Sequence, residues 1–510
     1  MKKVFLKIML AQKERRKLKF FRLFEELPNG EYTVKKISEL LSYSYTSTQK
    51  ILNEMEAEFQ DFFQEDFSLL TELGTVQLVP TNLNYDTYYN YLIHRSIPYR
   101  AIICSLTEPD KDLLSFCKEN FLSRASAMRQ LQALADYVQE FDLLFNRSQL
   151  TFKGDERLIR ITLFNFIWAA SRGTEKSLNV LAKQPIDEAL LFLQHEIPLL
   201  QDYVGRREIH LFAEIMYQRI RQGYYVVDDT RYEEAKFSEN QRVKTTLVEH
   251  LAIPPEHLDA EFHFIQFMMF YAPTFQFPED VRIAQMPSFS GHGQVLMPLL
   301  YKLDNYWAAE ILPGDTSFPD NKVVHGNLFN VLFCYYIFPK RIPTLFLLMS
   351  YFRRKQTTCY KYLKGKYSVF LKKMSRRKDL QWLTTCYEDL ADLFAWLTLD
   401  IFEEHQFREK LQVALVMESN YLFSQEIKGF LKDLSFIELI PFSPEHLPKT
   451  DFLITSSAML IPEENHLPYV VFNFFDGETN YEKLYANLKR NYRKKCYANM
   501  AHNTDESQTS

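Results

Sequence analysis

One pattern recurs in this chain at a fixed offset and limits what its N-terminal third can become. Ser44, Ser47, Lys50, Leu52 and Met55 correspond to Ser123, Ser126, Arg129, Leu131 and Leu134, every pair 79 residues apart. In the first copy, Thr33 is placed to cap a helix carrying Val34, Ile37, Leu40 and Leu41. Ser44 then caps a second helix that turns Thr48, Leu52 and Met55 inward and Thr46, Gln49, Lys50 and Asn53 outward. In the second copy, an apolar helix (Leu113, Leu114, Phe116, Cys117) breaks at Glu119-Asn120 and restarts at Ser123, with Leu122 suited to a hydrophobic staple. Ala127, Leu131 and Leu134 share the inner face. Arg129 and Gln132 point away from it, with Arg124 and Ser126 in the first turn. Two helices joined by a tight turn, the second presenting polar side chains, suit a major groove. A helical hairpin within a packed core would show the same spacing.

Each copy is followed by a candidate wing. After the first, Phe67 to Leu70 and Thr75 to Val79 flank the turn Glu72-Leu73-Gly74. After the second, Leu143 to Phe145 and Gln149 to Phe152 flank Asn146-Arg147-Ser148. The basic, amphipathic segment ahead of residue 30 reads as a solvated helix or as an arm contacting phosphates.

A chain of 510 residues has room for roughly three to five domains. Thirteen Gly against 43 Phe and 30 Tyr favours packed helices over glycine-rich sheets. The net charge of −5 does not advertise a nucleic-acid binder, so any such binding must come from local basic surfaces. Six scattered Cys with no Cys-x-x-Cys pair argue against a zinc site and a secreted disulfide scaffold, and for free thiols in the cytoplasm. The N-terminal apolar run lacks a cleavage site. The most apolar region, Leu328 to Phe352, is broken by Pro339-Lys340-Arg341-Ile342-Pro343, so a core is expected there and not a membrane span. Phosphate loops, His-Glu-x-x-His and Gly-x-Ser-x-Gly do not occur, and neither catalysis nor a cofactor or metal is implied.

The segment Phe152-Lys153-Gly154-Asp155-Glu156-Arg157-Leu158-Ile159-Arg160 follows the second wing. This Gly-x-Glu-x-x-Ile-Arg run resembles bacterial regulators that couple DNA-binding modules to sugar-phosphotransferase regulatory domains, above all the Mga/AtxA type of virulence regulator. The resemblance implies a mainly α, multidomain protein. It would have a first winged helix-turn-helix with a basic N-terminal arm over 1–80 and a second over 81–165. Helical regulatory domains over 166–287 and 288–405, a IIB-like α/β domain over 406–500 and a disordered tail over 501–510 would follow.

Glu208 to Ala213 looks like the first-histidine segment of such a regulatory domain, which makes His210 a phosphorylation candidate. The second histidine would fall at Met268, with His263 one and a half turns earlier as a substitute. Val323 to Leu328 would open a second copy, with His325 as its first histidine. Residues alone make each of these a hydrogen-bonded histidine of a helical core. Arg353 to Lys378 holds eleven Lys or Arg and no acid, either a solvated face or a nucleic-acid surface.

Beyond His405, strands at Leu411 to Val416, Phe436 to Ile440, Asp451 to Thr455 and Tyr469 to Phe474 alternate with helical stretches, as in a small parallel α/β domain. IIB enzymes carry a phosphorylatable Cys after the first strand. This chain has Met417-Glu418-Ser419 there, which favours dimerisation over phosphoryl transfer. The resemblance implies duplex DNA, RNA polymerase, the phosphocarrier protein and enzyme I as partners, and a homodimer formed through the C-terminal domain. A sugar-operon activator tuned to one transporter, an RNA-binding antiterminator and a pure phosphotransferase component are the competing readings.

Overall fold

The computed structural model describes residues 4–506 apart from 64–68, 72–73, 79–83, 174–183, 196, 236–239, 284–294, 316–317, 346–356, 407–408, 419–420, 444, 463–464 and 474–477. Two compact units are formed, one from residues 1–353 and 368–390, the other from 354–367 and 391–510. The described residues are mainly helical, as expected.

The first unit begins with α1 (Val4–Met9) and α2 (Gln12–Glu26), followed by β1 (Gly30–Thr33), α3 (Val34–Leu41), α4 (Tyr45–Phe63) and β2 (Thr75–Leu78). Rings from α2, α4 and α5 (Tyr85–His94) form one cluster, with Phe21, Phe59 and Tyr88 centroids 5.0–6.0 Å apart. Helix α2 is therefore a packed part of the first module. Two of its basic side chains pair with α4: Lys17 is buried against Glu58 (2.5 Å) and Glu54 (3.4 Å), and Lys13 pairs with Glu54 at 2.8 Å. Of the two readings for this segment, a solvated helix or a phosphate-contacting arm, the helix is present, with one face packed and Lys13, Lys19 and Arg22 exposed.

The first wing is the expected hairpin where it is described, with one strand added that the sequence did not show. β1 pairs antiparallel with β2 from Gly30↔Leu78 to Thr33↔Thr75, and the hairpin partner of β2 is the short stretch Leu69–Thr71 (Gln77 N to Leu69 O, 2.9 Å). Phe67, Glu72, Leu73 and Val79, named for this wing, lie outside the described residues.

Then follow α6 (Ile97–Thr107), α7 (Leu113–Glu119), α8 (Arg124–Gln130), α9 (Gln132–Gln139), the hairpin of β3 (Leu144–Asn146) and β4 (Thr151–Lys153), and α10 (Glu156–Ser171). The hairpin is the wing expected at this place. Among the described residues, the secondary structure of the rest of the unit is helical. It includes α11 (Gln184–Leu193), α12 (Tyr203–Arg221), α13 (Gln241–Leu251), α14 (Leu258–Met268), α15 (Leu296–Tyr306) and α16 (Lys322–Ile337). The unit boundaries fall inside α17 (Thr358–Met374) and α18 (Tyr387–Gln406). Of the basic run over 353–378, residues 353–356 lie outside the described residues and most of the remainder forms α17.

The second unit carries a parallel sheet, β5 (Leu411–Val416), β6 (Ile437–Ile440), β7 (Phe452–Thr455) and β8 (Tyr469–Val471), in the order β6-β5-β7-β8. Helix α19 (Tyr421–Lys432) makes the first crossover. Val413 and Ile454 from the sheet and Ile427 and Leu431 from α19 pack with Leu484 and Leu488 of α20 (Glu478–Glu506). All four strands fall within the segments expected for them, the fourth ending early at Val471. Phe474, named for the fourth, lies outside the described residues, and α20 runs helical to Glu506 where an unstructured tail was expected from 501.

Candidate nucleic-acid interface and histidine sites

Each recognition helix starts at a serine whose hydroxyl accepts a bond from the amide three residues on: Ser47 N to Ser44 Oγ at 3.3 Å, Ser126 N to Ser123 Oγ at 3.2 Å. The preceding turns are also equivalent. Ser42 and Phe121, again 79 apart, both adopt left-handed φ (56° and 51°). Tyr43 N reaches Ser38 O and Leu122 N reaches Cys117 O, each at 3.0 Å, the long bond of a Schellman turn. Beneath, Thr48, Leu52 and Met55 are sealed from solvent, as are Ala127, Leu131 and Leu134.

Outside, Thr46, Lys50 and Asn53 are exposed and Gln49 is half-buried. Together with Tyr45, which sequence reasoning missed, they line one open face of α4. In the second module Arg124, Arg129 and Gln132 are exposed and Ser126 half-buried. Gln132 is not idle: its Nε2 donates to Asp136 Oδ1 at 2.6 Å, and its Oε1 accepts from Arg147 of the wing. Arg147 is a second residue that sequence reasoning left unassigned. Only the folded hairpin brings it back to the helix.

The signature after the second wing works as a joint. Gly154 turns the chain at φ +136°, and a Cβ there would sit 2.6 Å from Leu143 Cδ2. Asp155 caps α10, accepting from Arg157 N at 3.0 Å. Buried Arg160 pairs with buried Glu261 on α14 (2.5 Å) and with Glu156 (3.0 Å), and Glu156 also holds Arg219 of α12 at 2.6 Å. Arg157 bridges Asp155 and Asp229. A network of this kind is costly to break from one side, because the remaining charge stays buried.

The three candidate histidines each face an aspartate. His210, 24% exposed, lies 2.7 Å from Asp187 through Nε2 and 3.2 Å from buried Glu214 through Nδ1. The Glu214 carboxylate, and then Asp187, hold its pKa above the ordinary value against the opposing effect of burial. With both nitrogens on carboxylates, His210 must release Asp187 before its Nε2 can accept a phosphoryl group. His325, 18% exposed, has Nε2 2.8 Å from Asp304 Oδ1, out of line for a hydrogen bond. His263, 34% exposed, uses Nδ1 on Asp228 (3.0 Å), and among the described residues its Nε2 has no polar partner.

Two of the histidine-bearing segments end on the second helix-turn-helix module. Past His210, α12 closes with Arg219 on Glu156 and Gln222 Nε2 on the Leu106 carbonyl (2.7 Å). Past His325, the loop after α16 sets Lys340 on Asp142 (2.5 Å), and Asn165 donates to the Pro343 carbonyl (3.0 Å).

In the second unit, Glu418 follows β5 and accepts from Ser456 Oγ, just past β7, at 2.7 Å. This is the switch point at the carboxyl ends of the strands, where open α/β sheets bind ligands. Of Met417, Glu418 and Ser419 at this place, Ser419 lies outside the described residues. All six cysteines are buried free thiols, and among the described residues there is no cluster able to hold a metal. No described helix is long and apolar enough to cross a membrane.

Two Ser-capped helices, each with an exposed polar face and a β-hairpin following it, have the arrangement of a winged helix-turn-helix. Residues 81–167 match the Mga helix-turn-helix domain. That match supports a Mga-type, DNA-binding transcriptional regulator, with double-stranded DNA as partner and a regulatory rather than enzymatic role. No curated protein matches the chain.

Proposed function

We propose that the chain is a transcriptional activator of virulence or carbohydrate-related genes that reads duplex DNA with both modules. The carrying observation is the pair of recognition helices in one 79-residue register, with Lys50 and Arg129 both exposed over sealed undersides. Thr46, Gln49, Lys50 and Asn53 would meet DNA from the first module, and Arg124, Ser126, Arg129 and Gln132 from the second. Lys and Arg contacts to phosphate would supply most of the affinity, and the polar side chains the discrimination. A footprint of the full-length protein on chromosomal fragments tests the reading. Protection of two adjacent major-groove segments is expected, and binding that ignores sequence entirely would overturn it.

Regulation is assigned to the helical region as two phosphotransferase regulatory domains over 166–287 and 288–405, with His210, His325 and His263 as phosphorylation sites. The chemistry favours it because a phosphoryl group adds nearly two negative charges. Beside Asp187, Asp304 or Asp228 that charge would repel the partner carboxylate and disturb the helix carrying it. The contacts of α12 and α16 with the second module give the disturbance a path to DNA. Incubation with enzyme I and the phosphocarrier should label the protein. Label that persists in a variant combining His210→Ala, His263→Ala and His325→Ala would reject all three.

The C-terminal unit, 406–500 in the IIB-like reading, is assigned to homodimerisation. Edge strand β8 turns Tyr469 and Val471 toward solvent, and Glu418 at the switch point disfavours a bound phosphoryl group. RNA polymerase is the further partner this role requires, and the cytoplasm is its compartment. A sugar-operon activator listening to one transporter is the second reading, favoured by the same Asp-paired histidines.

A further inference from the structure

We propose that Arg147, at the tip of the second wing, is a specificity-positioning residue that sets Gln132 to read the major-groove edge of an adenine. The inference rests on the DNA-binding reading above and deepens it.

The second recognition helix is broken. Its i→i−4 ladder is closed by Leu131 N to Ala127 O (2.9 Å) and resumes at Ala135 N to Leu131 O (3.1 Å), with Leu131 the hinge between α8 and α9. The break frees the Met128 carbonyl from the helix, and Arg147 Nη1 donates to it at 3.2 Å. The same guanidinium donates to Gln132 Oε1, while Gln132 Nε2 donates to Asp136. A cation on the oxygen and a carboxylate on the nitrogen together fix which end of the amide is which. One lone pair and one N–H of Gln132 remain. These complement the N6 donor and N7 acceptor of adenine, the bidentate pairing a glutamine makes in the major groove. Clamping the side chain before binding also removes rotamer freedom that binding would otherwise have to freeze.

Arg147 is half-buried where Arg129 is exposed, so its charge is directed into the protein and Arg129's toward DNA. Among the described residues the first module shows no counterpart of this clamp: α4 runs unbroken from Tyr45 to Phe63 through Leu52, the position matching Leu131.

The test uses the full-length protein and a pool of duplexes with a randomised core, with sequencing of the bound fraction for wild type, Arg147→Ala, Gln132→Ala and the double variant. Wild type should enrich one A·T pair. Each single variant should lose that preference about tenfold, within the range of one bidentate base contact. The double variant should be no worse than either single one, since both act through one amide. On the best wild-type duplex, Arg147→Ala should keep the slope of log K against log salt.

An Arg147→Ala variant that enriches the same A·T pair overturns the assignment, as does a slope reduced by about 0.9, the mark of a lost phosphate contact. Thermal unfolding controls for misfolding. Should Arg147→Ala fail to fold, Arg147→Lys replaces it, losing the planar fork while keeping the charge; full A·T preference in that variant also overturns the proposal. A wild type that binds no duplex overturns the DNA-binding reading itself.

Discussion

The two winged modules share their caps, their turns and their buried triads, yet they are held together differently. The first leans on α2 through a ring cluster and the Lys17–Glu54–Glu58 group, whose carboxylates keep some contact with water. The second is tied to the helical region through Arg160, Glu261 and Arg219, all buried, and through Glu156, which is nearly so. Its recognition helix is also interrupted and repaired by the wing. Equivalent polar helix faces can thus sit on unequal mountings, and the second is the one joined to the histidine helices.

The sharpest break in that comparison is energetic. Glu261→Ala removes the buried bidentate partner of Arg160, leaving Glu156 as its carboxylate, and should cost about 3–5 kcal/mol in denaturant unfolding. Lys17→Met removes a buried ammonium but leaves Glu54 and Glu58 with some water, and should cost less, about 1–3 kcal/mol. Similar losses for the two would erase the distinction.

On DNA the modules should instead look alike. Lys50→Ala and Arg129→Ala are each expected to weaken duplex binding uniformly across sequences and to lower the salt slope by about 0.9. A slope that moves for only one of them would leave a single module in contact with phosphate.

Ser44→Ala and Ser123→Ala should each destabilise by about 1 kcal/mol, because each removes one bond to the third amide of its helix. The smallest effect concerns the turns. Phe121, 96% exposed, is held at a φ that suits glycine, and Phe121→Gly should stabilise the fold slightly in thermal unfolding, by about 0.5–1 kcal/mol of relieved strain. Ser42→Gly should do less, since a small polar residue strains the same turn less than a bulky one.

What could be read from the chain beforehand was whatever depends on near neighbours. Caps at Ser44 and Ser123, the inward triads and the strands of the second unit follow from spacing, and the structure has each of them. What escaped was set by distant partners. The strand Gly30–Thr33 is four residues long and exists because Thr75–Leu78 pairs with it. The positive charge on Lys13 and Lys17 was plain, but not that Glu54 and Glu58 lie across from it. Apolar periodicity runs smoothly through Leu131 and carries no trace of the hinge there, because the group that stabilises the hinge comes from Arg147, beyond two intervening elements. The histidines were visible as residue types. Their aspartate partners, 21 to 35 positions earlier, were not.

The hinge at Leu131 has a consequence for anyone moving these parts between proteins. Transplanting residues 124–139 alone would carry the letters of the second reading head without the guanidinium that keeps them in order. The hairpin ending at Lys153 would have to travel with the helix, whereas α4 could be transferred as a single rod.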